Sequence, residues 1–225
     1  MPTRREPFVS DQIYHICNRG IDHKPTFTKI REYKRANQII KYYRYVSPPV
    51  RLSKFLLLSN DLQKQIMLNL QKSDNRIIDI YTFCLMPNHI HFLVKQLTDN
   101  GISKFMGQFF NSYTKYFNTI NKKEGPLFLD QFKSIRIITN EQLLHVSRYI
   151  HLNPYTSYIV KNMDDILVYP WSSLAEYINE EAEGICNKEM ILSFFKNKLS
   201  YIEFISDQAD YQRELGRIKH LTFED

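Results

Sequence analysis

The sequence predicts an α+β fold: an antiparallel sheet, ferredoxin-like in outline, with helices packed on it and a small helical appendage at the C-terminal end. Three observations lead there. Short β-rich segments alternate with longer segments of helical apolar spacing, in the order β-α-(α)-β-β-α-β-α. Only Met86-Pro87-Asn88 separates the two middle strands, which marks a hairpin. And 43% of the 225 residues are hydrophobic, including 15 Phe and 15 Tyr, enough to fill a core.

Residues 12–18 are β-rich and end at Arg19-Gly20, a turn signal, so they form the first strand. Residues 29–45 carry apolar positions at helical spacing and stop before Ser47-Pro48-Pro49. This helix has a strongly basic face, with Lys29, Arg31, Lys34, Arg35, Lys41 and Arg44 against one acid, Glu32. Residues 61–73 form another helix. Residues 76–85 and 89–96 are the paired strands. Ile102, Phe105, Phe109, Phe110, Tyr113 and Phe117 define a long amphipathic helix that Gly125-Pro126 breaks. Residues 133–138 are a further strand. Thr139 and Gln142 make a capping box for a helix that runs to about Asn153 and is expected to stop before Pro154. Residues 169–177 read as irregular. The acidic stretch 180–183 reads as a linker, which divides the chain into a core domain, 1–178, and a helical appendage, 179–225.

The net charge of +6 and pI of about 9.1 favour a polyanionic partner. Cys17, Cys84 and Cys186 are odd in number and widely spaced, which argues against a disulfide framework or a cysteine zinc site. No apolar h-region follows the first residues, and no apolar run approaches a membrane span. The expectation is a cytoplasmic protein with reduced thiols, a monomer or homodimer, with no membrane partner.

His89 and His91 lie one residue apart on a strand, so both project from the same face. Their backbones are about 7 Å apart, and both imidazoles can converge on one ion at bonds of about 2.1 Å. Ile90 and Phe92 then face the core. His145, Tyr149 and Asn153 share one face of the helix that follows the capping box. A phenol and a carboxamide oxygen one turn apart can address the same metal-bound phosphate, with Asn153 as third ligand and Tyr149 as nucleophile. A phenol with a pKa near 10 needs help at neutral pH; a divalent ion supplies it by polarising the phosphoryl oxygen and orienting it for attack. Tyr113 and Tyr116 are rivals for the nucleophile's role. Tyr149 is preferred because Asn153 lies one turn away.

These residues resemble a known family. Met86 to Val94 is similar to the HUH motif (His, hydrophobic, His) of the single-tyrosine transposases. Arg148 to Pro154 resembles that family's tyrosine-bearing helix, and Tyr14-His15-Ile16 with Asn18-Arg19-Gly20 its opening strand. Gly125 to Phe128, Phe132-Lys133-Ser134 and Tyr169 to Ser173 are similar to the REP-associated tyrosine transposases, the RAYT subgroup. The resemblance spans roughly residues 1–177. It implies a ferredoxin-like sheet with the histidines on a central strand. It implies Mg or Mn held by His89, His91 and Asn153, and Tyr149 acting on single-stranded DNA that folds into hairpins. One departure stands out: after Asn153-Pro154 the subgroup commonly has an arginine-containing stretch, where this chain has Tyr155-Thr156-Ser157-Tyr158.

Single-stranded DNA requires cations for phosphates and rings for bases. Arg4, Arg5, Arg19, Lys133 and Arg136 are the candidate phosphate contacts, and the basic helix interleaves Tyr33, Tyr42, Tyr43 and Tyr45 with its charges. The function expected is a metal-dependent single-strand DNA nuclease and strand transferase forming a phosphotyrosine link. The alternatives are a non-catalytic nucleic-acid-binding regulator with the same fold and a relaxase-like replication initiator.

Overall fold

The structure, a computed structural model, describes residues 7–72, 75–179 and 184–214. The candidate contacts Arg4 and Arg5 and the acidic stretch 180–183 lie outside the described residues. Four strands, β1 (Ile13–Arg19), β2 (Ile78–Leu85), β3 (His89–Gln96) and β4 (Lys133–Ile137), form one sheet in the order β2-β3-β1-β4. Every pairing is antiparallel. This is the ferredoxin-like order expected from the sequence.

The pleat sorts the side chains. Along β3, Ile90, Phe92 and Val94 enter one core, with Tyr14 and Ile16 of β1. That face is covered by α1 (Ile30–Tyr43) and α4 (Gly101–Asn121). Phe105, Phe109, Tyr113 and Phe117 line α4 at the expected helical spacing and are buried. Burying each such aromatic side chain is worth roughly 1.5–3 kcal/mol. Tyr33, Tyr42 and Tyr45 are also buried, so the basic helix spends most of its rings on packing. Glu32, the one acid among these cations, is buried at the start of α1. Its Oε2 accepts from the backbone N–H groups of Thr28 and Lys29 at 2.6 and 2.9 Å, filling two of the orphan donors of the helix start.

The second face of the sheet carries α5 (Asn140–Thr156), which packs Leu143, Ile150, Leu152 and Tyr155 against Leu93, Tyr81 and Cys84. Thr139 caps α5 as expected, accepting from Gln142 N–H at 3.2 Å. The helix does not stop before Pro154 but runs through it to Thr156. Proline removes one intrahelical bond, and here that loss falls in the last turn, where buried Leu152 and Tyr155 hold the backbone helical. The smaller helices are α2 (Leu52–Phe55), α3 (Asn60–Lys72), α6 (Met163–Leu167), α7 (Leu174–Ile178), α8 (Glu189–Leu192) and α9 (Lys198–Ser206). Residues 169–177 are more ordered than their composition suggests. Leu85 N–H donates to Trp171 O, and Phe83 N–H to Ser173 Oγ, so this segment covers the exposed edge of β2. Trp171 stacks on Tyr33 with ring centroids 4.6 Å apart.

The residues after 184 share the core beneath α5: Ile191, Tyr201, Ile205 and Ala209 are all buried there. At its centre is His151, fully buried, with Nδ1 2.8 Å from Tyr201 Oη and Nε2 2.8 Å from Ser173 Oγ. Burial pulls its pKa down to about 3. Below pH 6.5 the unfolded chain takes up a proton at this position that the folded chain refuses, so stability falls as pH drops from about 6.5 towards 3 and is insensitive to this group above 6.5. Urea denaturation across that range should show His151→Gln flattening the slope by up to about 1.4 kcal/mol per pH unit. Parallel profiles for the two proteins would show that His151 does not govern the acid response.

Candidate nuclease site

The pleat that sends Ile90 and Phe92 into one core turns His89 and His91 to the face beneath α5. In register, Cys17 of β1 lies beside His91, and Arg19 beside His89. β1 therefore presents His15, Cys17 and Arg19 to the same face, and β4 adds Lys133 opposite Cys17. Gly20 ends the strand, where a Cβ would lie 2.3 Å from Lys24 O; only glycine permits so tight a turn.

Tyr149 stands over the histidines. Its ring centroid is 5.4 Å from that of His91 and 6.0 Å from that of His15. Asn153, one turn on, brings Oδ1 to 3.1 Å from His89 Nε2. The other nitrogen of His89, Nδ1, is 2.7 Å from Asn88 Oδ1. His91 has Nδ1 3.0 Å from His15 Nε2, and its Nε2 is 3.9 Å from Cys17 Sγ. Each imidazole is thus gripped through Nδ1, leaving Nε2 for the cleft. Such gripping sets the tautomer and ring orientation of a metal-ligating histidine.

Burial pushes all three histidines down: His15 to about 4, His89 in the same direction against the opposing bond to Asn153, and His91 well below the usual range. Neutral imidazole is the form that binds a metal. A neutral His89 has one N–H and cannot donate to both carboxamide oxygens that contact it. With Nδ1–H on Asn88, the Nε2 lone pair and the Asn153 oxygen face one another at 3.1 Å. Neighbouring ligands of an octahedral ion with bonds of about 2.1 Å are about 3.0 Å apart, so the pair fits a shared divalent cation. Among the described residues no group of three or more His, Cys, Asp or Glu is arranged to hold a metal. The uncharged donors that would hold a cation here are His89, His91 and Asn153, with Cys17 Sγ 3.9 Å from His91 Nε2.

The cleft around these groups has a volume of about 570 Å³, and Arg19, Lys133, Ser157 and Tyr158 also line it. Among the described residues no carboxylate does. Tyr149 is 41% exposed along its side chain. Burial of its hydroxyl raises the pKa, the neighbouring Cys17 adds to that, and a hydrogen bond with Asn153 opposes it. The rivals are elsewhere. Tyr113 is fully buried in the opposite core and donates to Thr26 O at 2.7 Å. Tyr116 lines a different cleft.

His145, on the same helical face as Tyr149 by spacing, is instead exposed and pairs with Arg148 Nη2 at 2.8 Å. Arg136 pairs with Tyr14 across the sheet, on the opposite face from Lys133, and donates to Gln12 Oε1 at 2.7 Å. Sequence reading passed over His15 and Cys17, although their period-two spacing with Arg19 is the same signal that marks His89 and His91. It also passed over Arg213. This residue of the C-terminal segment lies 4.0 Å from the Tyr155 ring centroid and 4.2 Å from that of Tyr158. It sets a guanidinium beside the segment whose own sequence carries no arginine.

An antiparallel sheet with a His-x-His pair on an inner strand, and a tyrosine helix laid across it, is the arrangement that the resemblance to the HUH single-tyrosine transposases implies. The sequence comparison agrees: residues 53–153, which include both histidines, Tyr149 and Asn153, match the family described as IS200-like transposases. Among solved structures, the chain shares its fold with a REP-associated tyrosine transposase bound to a REP hairpin. That match has a TM-score of 0.52 at 15% identity and covers 82% of this chain and 90% of the other. No curated protein matches the sequence.

Guanidinium–ring contacts of this kind are worth about 0.5–2 kcal/mol each. Arg213→Ala should therefore lower the unfolding free energy by about 1–2 kcal/mol, and a double-mutant cycle with Tyr155→Leu should show coupling. Strict additivity in denaturant titrations would mean that the stack contributes nothing.

Proposed function

We propose that the protein cuts and rejoins single-stranded DNA, with Tyr149 as nucleophile, on hairpin-forming palindromic repeats. The observation that carries this reading is the meeting of the Tyr149 ring and two neutral imidazoles in one cationic cleft, with the Asn153 oxygen 3.1 Å from His89 Nε2 at its wall. The family match and the shared fold with a hairpin-bound transposase support it.

His89, His91 and Asn153 would hold Mg or Mn, which when bound supplies Lewis-acid polarisation of the scissile phosphate. These uncharged ligands leave the ion's full charge available to a phosphate. Arg19 and Lys133 draw the DNA backbone into the cleft, and the absence of carboxylates keeps it free of repulsion. The Tyr149 oxygen attacks phosphorus and forms a P–O bond. The bond to the 3′ oxygen breaks, the phenolic proton is lost to solvent, and the leaving 3′ oxygen takes a proton from solvent to become a free 3′-OH. The link keeps the energy of the broken ester, so attack by another 3′-OH reseals DNA without ATP. Within one chain the Tyr149 ring already stands over the histidine pair, which supports its acting on its own histidines. The chemistry is assigned to the core, 1–178, in the cytoplasm; the helical segment beyond it supports α5.

Incubation of a hairpin-bearing single strand with Mn should give a covalent protein–DNA adduct on a denaturing gel. Tyr149→Phe should abolish it while binding persists, and an undiminished adduct would assign the nucleophile elsewhere. His89→Ala should weaken Mn binding by about 10-fold or more, read by electron paramagnetic resonance; unchanged affinity would remove this residue from the metal site. Mixing the two variants should restore no adduct. Recovery of activity in the mixture would show that the tyrosine of one chain serves the histidines of another.

A further inference from the structure

The cations of α1 are not absorbed by the catalytic cleft. With α4, this helix covers the other face of the sheet, and a second cleft of about 670 Å³ opens between α1, α4 and the segment 47–53. Its volume falls in the range of small-molecule sites, roughly 300–1,000 Å³, and is too small for a duplex. Arg35, Arg51 and Lys115 line it, and among the described residues no carboxylate does. Among the described residues no ion pair engages any of the three. Arg35 is already ordered, its guanidinium 4.5 Å from the Tyr116 ring centroid.

Two rings share the cleft with these charges, and both are held by their hydroxyls. Tyr43 Oη accepts from Leu52 N–H at 3.1 Å, and Tyr116 Oη donates to Arg31 O at 3.4 Å. On the α4 side, Gln108 Oε1 is shielded from solvent and has no hydrogen-bond partner among the described residues. A buried acceptor without a donor is destabilising, and a turn of the Gln108 side chain into the cleft it lines would let a ligand N–H satisfy it.

We propose that this cleft binds a nucleoside phosphate, either a free nucleotide or one nucleotide of a single strand. The cations take the phosphate, the tyrosine rings take the base, and Gln108 Oε1 accepts from an exocyclic amino group. Charge alone would suit any small anion. The fixed rings and the unfilled acceptor add the demand for an aromatic ligand with an N–H. The site lies across the sheet from Tyr149, and it does not rest on the nuclease reading.

The test uses the full chain in chelator, with dAMP, dTMP, a dA hexamer and inorganic phosphate as probes in calorimetric titrations. The variants are Arg51→Ala/Lys115→Ala, Gln108→Leu and, as a control, His89→Ala. The double variant should weaken dAMP binding by about 10-fold or more, while His89→Ala leaves it unchanged. Gln108→Leu should erase a preference for dAMP over dTMP, whose base has no exocyclic amino group. Photo-crosslinking with 8-azido-dAMP should label peptides within 35–53 or 108–120. Tighter binding of the hexamer, lost in the double variant, assigns the site to a strand, and equal affinities assign it to free nucleotide. The proposal is overturned if phosphate binds as tightly as dAMP, if the double variant stays within about twofold of the parent, or if label falls only on the Tyr149 cleft.

Discussion

Alternate side chains leave β3 on opposite faces of the sheet, and one strand thereby does two incompatible jobs. Ile90, Phe92 and Val94 enter an aromatic core where any unpaired polar group would be costly. His89 and His91, each one position away, reach a cleft that holds lone pairs and positive charge. The same pleat on β1 places Ile16 in the core and His15, Cys17 and Arg19 on the cleft side. A slip of one residue in either strand would exchange the two sets. The pairing of β1 with β3 over seven consecutive residue pairs, and the aromatic packing of α4 beneath, hold the register.

The helix that carries Tyr149 depends on a different set of contacts. α5 lies on the cleft face with Tyr149 and Asn153 towards the histidines, while its far side is clasped by later parts of the chain. His151 reaches both Tyr201 and Ser173, Arg148 Nη1 donates to Phe204 O at 3.2 Å, and Tyr155 Oη donates to Asp210 Oδ1 at 2.6 Å. These polar contacts are directional, so they constrain the rotation of the helix about its axis more than apolar packing does. The C-terminal segment thus bears on the distance between a phenol and two imidazoles that it never touches.

Electrostatically the cleft is built for an anion. His89 and His91 are kept neutral by burial, and the arginine and lysine charges that line it are Arg19 and Lys133. Burial also raises the pKa of Tyr149, which disfavours phenolate before substrate arrives. On the function proposed above, a cation beside the imidazoles would be what favours loss of the phenolic proton.

Much of this was legible in the chain itself. β-rich composition and turn signals marked all four strands, and helical apolar spacing with a capping box marked the three principal helices, α1, α4 and α5, because these are local consequences of backbone preference and burial on one face. The His-x-His pair and the Tyr149–Asn153 spacing were legible for the same reason: each lies within a single element, where backbone geometry fixes which side chains are neighbours. The extension of α5 through Pro154 was not, since propensity argued against it and tertiary packing overrode it. Nor were the edge covering by 171–173, the grip of His15 on His91, the lodging of His151 between Tyr201 and Ser173, or the placing of Arg213 beside Tyr158. Those contacts join residues 22 to 90 positions apart, and no local rule records them. The sequence by itself determined the strand order's raw material and which side chains share a face; only the tertiary structure decided which faces meet, because that depends on how the whole chain buries its apolar surface at once.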